Sequence, residues 1–253
     1  MNSQKREYLT NILLTIPDNG IACAAFLTKQ GLSHDNLKQY VKRGHLDSVG
    51  RGAYCKHGHK PPLSAALTAA VNQLATPIHL GGWSALALRG LLHFLPAVKL
   101  PDTLYAPTNT RLPAWLETAY ADKYRCQKTN LLPDKTGIED REVDRFIIPV
   151  SSPERAILEY LYEVPEGHPL NEAYQIMEMM YTARASMLQI LLESCRSIKV
   201  KRLFCLLAED LNHNWFEDLD FSRINLGSGN RIIEKGGTYR SKWLVTVKDW
   251  REI

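Results

Sequence analysis

The sequence predicts an α+β protein in two parts, a winged helix-turn-helix over residues 1–60 and a larger mixed α/β body over 61–253. Three observations carry this. Short apolar stripes at helical spacing, punctuated by glycines, fill the first 44 residues. A Gly-Arg-Gly between two short strand-like runs follows at 50–52. Beyond Pro61-Pro62, helical and strand-like patterns mix along the rest of the chain.

The first element is a helix over residues 4–16, where Tyr8, Leu9, Ile12, Leu13 and Ile16 make one apolar stripe. Pro17 and Asp18-Asn19-Gly20 end it. A second short helix fits Cys23–Gln30, with Gly31 at its C′ position and Leu32 after it. Ser33 is a good N-cap for a third helix, His34–Arg43, which stops at Gly44. Two helices joined by a turn of about three residues with a glycine in it make the helix-turn-helix pattern. With Leu37 and Val41 inward, the outer positions are His34, Asp35, Asn36, Lys38, Gln39, Lys42 and Arg43. Asn and Gln can pair with adenine through two hydrogen bonds, and Lys and Arg can read guanine or hold phosphate. Residues 45–49 and 53–55 then form a hairpin around Gly50-Arg51-Gly52, placing Arg51 at the tip of a wing. From there it can reach a phosphate or the minor groove.

Charge placement agrees. Of 31 Lys and Arg, nine lie in residues 1–60 with only four acids, a surplus of five; the remaining 193 residues carry 22 and 23. A basic module on a neutral body suits a polyanionic partner. The plainer reading of such a helix is a solvated face over an ordinary core. The hairpin, the glycine punctuation and the local charge favour nucleic-acid binding through Ser33, His34, Asn36, Lys38, Gln39, Lys42, Arg43 and Arg51.

In the body, Leu63–Ala75 is a helix by composition and Ile78–Leu80 a short strand, followed by Gly81-Gly82 and a helix from Trp83 to about Leu92. The stretch 102–149 reads as strands and turns, with strands at Thr103–Ala106, Tyr124–Thr129 and Val143–Val150. Ser151-Ser152-Pro153-Glu154 starts a helix, with a serine N-cap and proline at N1. Helices follow over Arg155–Tyr162, Asn171–Thr182, Met187–Ser194 and Lys199–Asp210. Strands at 232–233 and Trp243–Val247 flank a loop over Glu234–Arg240.

Chemistry in the body is sparse. The strand-Gly-Gly-helix stretch HLGGWSALALRG can bind phosphate at a helix N-terminus, but it lacks the Lys-Ser/Thr of a P-loop and the third glycine of a dinucleotide fingerprint. Gly-Gly-x-Ser before a helix also resembles the start of a nucleotidyltransferase core. The next strand, however, carries no paired carboxylates for divalent metal; only Asp102 precedes it. The glycines are read most simply as a tight turn in a degenerate version of that fold. Cys55-x-His57-x-His59 has metal-ligand residue types without the paired spacing of a structural zinc site. No Gly-x-Ser-x-Gly elbow is present. The reading therefore assigns no catalytic residue, metal or cofactor. The five scattered cysteines suit reduced thiols in the cytoplasm, and neither a secretory leader nor a membrane span is visible.

The order of parts resembles the AbiEi-type antitoxins of bacterial type IV toxin–antitoxin (abortive infection) systems. The resemblance covers most of residues 20–165 and rests on LGGWSALALRGL, SSPERAIL and, less specifically, VGRGAY. It implies phage defence, an N-terminal domain that represses its own operon by binding inverted repeats in the promoter, and a non-enzymatic body that counters a nucleotidyltransferase-like toxin without requiring a stable complex. Only the recognition helix Ser33–Arg43 and the wing residue Arg51 carry over; no motif marks residues for antitoxicity. Two other readings stand beside it. One is a nucleotide-using enzyme with carboxylates gathered from distant segments, for example Asp102 with Asp140 or Asp144. The other is a transcription factor whose body senses a ligand or dimerises.

Overall fold

The computed structural model of the chain describes residues 13–92 and 100–251. Most of the expected first helix, with Tyr8, Leu9 and Ile12, lies outside the described residues; its end at Leu13 and Leu14 is helical. The elements are β1 (Ala22–Cys23), α1 (Ala24–Lys29), α2 (His34–Lys42), β2 (Leu46–Gly50), β3 (Ala53–Lys56), α3 (Leu63–Leu74), β4 (His79–Leu80) and α4 (Gly82–Leu88). Then come β5 (Asp102–Ala106), α5 (Ala114–Ala119), β6 (Tyr124–Lys128), β7 (Ile138–Val143), β8 (Phe146–Ser151), α6 (Pro153–Glu163), α7 (Leu170–Glu178), α8 (Ala185–Ser194) and α9 (Ile198–Leu211). The C-terminal strands are β9 (Arg231–Ile232), β10 (Thr238–Arg240) and β11 (Val245–Val247). The class is α+β, as the sequence predicts.

The chain forms two compact units. The first runs to Ile78 and takes in Asn109–Arg125 and Asp140–Ile148; the second holds the rest. Compactness therefore groups the chain differently from a cut at residue 60, because two later segments fold into the first unit.

In the first unit, Ile16, Ala22, Ala24, Leu27, Leu32, Leu37 and Leu46 form a core, with Leu13, Phe26, Tyr40, Val41 and Tyr54 packed partly buried against it. Cys23 is not the first residue of a helix, as its apolar neighbours suggest. It ends β1, whose partner is β3, with Ala22 opposite Tyr54 and Cys23 opposite Ala53. The reason is long-range. The Cys23 amide donates to Gln73 Oε1 at 2.7 Å, and Gln73 Nε2 donates to the Ile21 carbonyl at 2.8 Å. A side chain on α3 thus does the work of a neighbouring strand.

The second unit is built on α6. Glu154 to Leu161 are all buried, so this helix is covered on every side. It packs against α4, α7, α8 and α9. The five-stranded sheet has the order β6-β5-β4-β8-β7. Within the second unit β4 runs antiparallel to β5, with Leu80 opposite Leu104, and parallel to β8, with Leu80 opposite Val150. Where one strand was expected over 143–150, a hairpin turns at Asp144 and Arg145, whose φ angles are 50° and 70°. The four central residues of its strand β7 are all charged, so it carries no apolar alternation to read. The helix α5 is a second departure. Its six residues lie in a stretch read as strands and turns, and they are too few for a helical period to stand out. A third is β10, in the expected loop over 234–240.

Candidate nucleic-acid interface

Local capping sets α2 in place. Ser33 Oγ accepts from the Asn36 amide at 3.2 Å, the N-cap its position predicts. Gly44, at φ +69°, closes the other end, where the His45 amide donates to the Tyr40 carbonyl at 2.9 Å. Between these caps Leu37 is fully buried and Tyr40 and Val41 half-buried, which turns the remaining positions outward. Ser33, His34, Lys38, Gln39, Lys42 and Arg43 are exposed, and Asn36 is half-buried. Lys38 lies 3.8 Å from Asp35, one helical turn away. Among the described residues Lys42, Arg43 and Arg51 form no ion pair, so their charges stay available.

The hairpin β2–β3 follows, with Gly50 opposite Ala53 and Arg51-Gly52 as the two-residue tip, Arg51 exposed and Gly52 half-buried. An irregularity at Val49 interrupts the pairing between Ser48 and Gly50. The Gly52 carbonyl accepts from the Ala24 amide at 2.8 Å, which ties the tip to the first turn of α1. Gly50 is needed for another reason. A Cβ there would stand 2.8 Å from Trp115 Cβ on α5, so only glycine allows the strand to approach that helix. The interface is thus buttressed by a segment about 60 residues further along the chain.

The residues after the wing are engaged in local bonds. His57 Nδ1 lies 2.9 Å from Asp47 Oδ1, and the His59 ring accepts from the Asn19 amide at 3.0 Å. Cys55 Sγ contacts the His59 carbonyl at 3.6 Å. These contacts brace the base of the hairpin, and among the described residues no group of three or more potential ligands is placed to hold a metal ion.

In the second unit the Gly81-Gly82 turn is filled from within. The Gly82 amide at the start of α4 donates to Glu159 Oε2 at 2.9 Å. The same carboxylate receives His79 Nε2 at 2.9 Å, Ser151 Oγ at 2.7 Å and Arg155 Nε at 2.7 Å. A Cβ on Gly81 would fall 2.4 Å from Glu159 Oε2 and 2.6 Å from Tyr105. Burial pushes the Glu159 carboxyl upward, but His79, Arg155 and the Gly82 amide outweigh it and hold it at about 2. The place where a phosphate would meet the helix start is occupied by the protein's own carboxylate. A second cluster adjoins. Arg184 binds Glu154 at 2.9 Å and Glu139 at 3.0 Å, and Arg89 binds Glu139 at 2.9 Å.

Comparison with known proteins now decides the family. Residues 5–97 match the model of the N-terminal domain of the AbiEi antitoxin, a transcriptional regulator, and residues 102–248 match the AbiEi antitoxin and transcriptional regulator of type IV toxin–antitoxin systems. The chain belongs to the AbiEi antitoxin family. No curated protein matches it. Among solved structures it is similar to the RV2827C protein from Mycobacterium tuberculosis, at 12% identity and a TM-score of 0.63, over 97% of this chain and 91% of that one. That likeness is one of fold.

For this AbiEi-family chain the two stretches that carried the resemblance, LGGWSALALRGL and SSPERAIL, meet in space. Gly82 from the first is bonded to Glu159, one turn beyond Arg155 of the second. Both motifs are therefore parts of one buried lock. Sequence reading found the glycines and the helix start. It missed Glu159, His79 and Tyr105, which lie in apolar surroundings with no motif spacing between them. The available signal was Arg155 and Glu159 at i,i+4 spacing within an otherwise apolar run.

Proposed function

We propose that this protein is an antitoxin and autorepressor: its β1–α1–α2–β2–β3 segment is a winged helix that binds inverted repeats in its own promoter, and its body neutralises a nucleotidyltransferase-like toxin. Ser33, His34, Asn36, Lys38, Gln39, Lys42 and Arg43 form the reading face, and Arg51 the wing contact. The observation that carries this is the capped helix α2, whose outward face holds amide and cationic side chains while Leu37 anchors the inner one. Family membership supports DNA and a toxin as partners in general. The enzyme reading draws no support from the glycine turn, where Glu159 takes the anion position, and Asp144, one of its candidate carboxylates, accepts from Ser64 Oγ at 2.9 Å.

The test is fluorescence anisotropy on DNA from upstream of the protein's own gene, with scrambled competitor, at two salt concentrations. Tight, competitor-resistant, salt-sensitive binding is expected. Equal weak binding to both DNAs would sink the repressor reading. The antitoxin half is tested by co-expression with the partner toxin; body variants that keep DNA binding but lose rescue would locate it.

A further inference from the structure

The geometry points to a second binding site, for a small phosphate-bearing ligand with a flat ring such as a nucleotide, in the C-terminal part of the second unit. A cavity of about 560 Å³ opens between the end of α9 and β10–β11. That volume falls in the range of small-molecule pockets and is far more than a bare oxyanion fills. Its lining includes Glu209, Asp210, Tyr239, Arg240, Lys242 and Arg251.

The charges there are unevenly matched. Glu209 pairs with Lys242 and also accepts from Trp243 Nε1 at 2.7 Å. Asp210 pairs with Arg251. Both carboxylates are thus committed. Arg240 makes no ion pair among the described residues, and its Nε is buried without a hydrogen-bond partner. Its guanidinium lies over the buried Trp250 ring at 4.9 Å, which fixes the plane of the donor fork. Its terminal nitrogens, unlike Nε, are not enclosed and make no hydrogen bond among the described residues, so they can give an oxyanion in the cavity charge-assisted hydrogen bonds. Beside it, Tyr239 is 48% exposed and offers a ring face on which a base can stack. One group thus takes the phosphate and the other the flat ring. This site is separate from the glycine turn and independent of the DNA-binding reading.

The experiment is tryptophan fluorescence of the full-length protein titrated with adenosine 5′-monophosphate, adenosine and inorganic phosphate. Trp243 and Trp250 line the cavity and report its filling. Saturable quenching by the nucleotide is expected, with adenosine and phosphate each weaker by about tenfold or more. Arg240→Gln should weaken nucleotide binding by about tenfold or more. Tyr239→Ala, at an exposed position that leaves the buried stack intact, should weaken the nucleotide but leave phosphate unchanged. Lys42→Ala should leave the quenching unchanged, which separates this site from the DNA surface. No saturable response to the nucleotide, phosphate binding as tightly as nucleotide, or equal responses in the native protein and Tyr239→Ala would each overturn the proposal.

Discussion

At the scale of single residues, the candidate interface divides into side chains proposed to meet DNA and side chains that hold the fold. Lys42 and Arg43 are exposed and free of ion pairs among the described residues, so each can reach bases or phosphates without first breaking a bond. Lys42→Ala or Arg43→Ala is expected to weaken binding to the upstream DNA in an anisotropy titration. Arg51→Ala should lower affinity almost equally on specific and scrambled DNA and flatten the logarithmic salt slope by about one unit, because a phosphate contact carries no sequence information. Asp35 sits on the same exposed face and would repel phosphate. Gly50 acts by absence. Gly50→Ala forces its methyl into Trp115, and a loss of about 1–3 kcal/mol in a denaturant titration is expected, as for an over-packed core. An unchanged unfolding midpoint would show that the strand moves away at little cost.

At the scale of elements, two helix starts were legible and behave as local chemistry requires. Ser33 caps α2, and Ser152, followed by Pro153, caps α6. Ser33→Ala should lower stability by about 0.5–2 kcal/mol, read by thermal unfolding, and weaken DNA binding through a frayed first turn. The body helices from 153 to 211 fall close to their expected places because each carries an apolar period over nine or more residues. The short elements were not legible. β1 has two residues and α5 has six, and each is met by a distant part of the chain: Gln73 bonds β1, and α5 lies against the hairpin backbone at Gly50. The same holds for the glycine turn. Its tightness was readable; the carboxylate that fills it was not, since Glu159 lies 77 residues away. Glu159→Ala removes the shared acceptor of His79, Ser151, Arg155 and the Gly82 amide. It should cost about 3–5 kcal/mol, because it leaves buried donors and a buried guanidinium uncompensated. A variant as stable as the native protein would show that water replaces the carboxylate.

At the scale of the whole molecule, these buried acids set how the protein responds to pH. Glu159 and Glu154 are both held at about 2, below the ordinary value of 4.5, by their cationic and hydrogen-bonding partners against the opposing effect of burial. A carboxyl depressed in the folded state contributes stability that is fully present above its unfolded value and is lost as pH falls through the folded one. Unfolding monitored by circular dichroism should therefore be insensitive to these groups above about pH 5 and should set in between pH 4.5 and 2. In the Glu159→Gln variant that window should carry a shallower dependence. A native protein whose stability is flat down to pH 2 would contradict the buried ion-pair assignment.

By itself the sequence determined the α+β class, the two short helices with their caps, the Arg51-Gly52 hairpin turn, the outward face of α2 and the start of α6. Each of these depends on residues within a turn or two of one another, where periodicity and capping chemistry act. The tertiary structure alone decided which later segments join the first unit, that a glutamate from α6 fills the glycine turn of α4, and that Arg240 of the C-terminal sheet lies over Trp250 above a cavity. Those outcomes depend on burial, which selects partners by space and charge across tens of residues and leaves no spacing in the sequence to read.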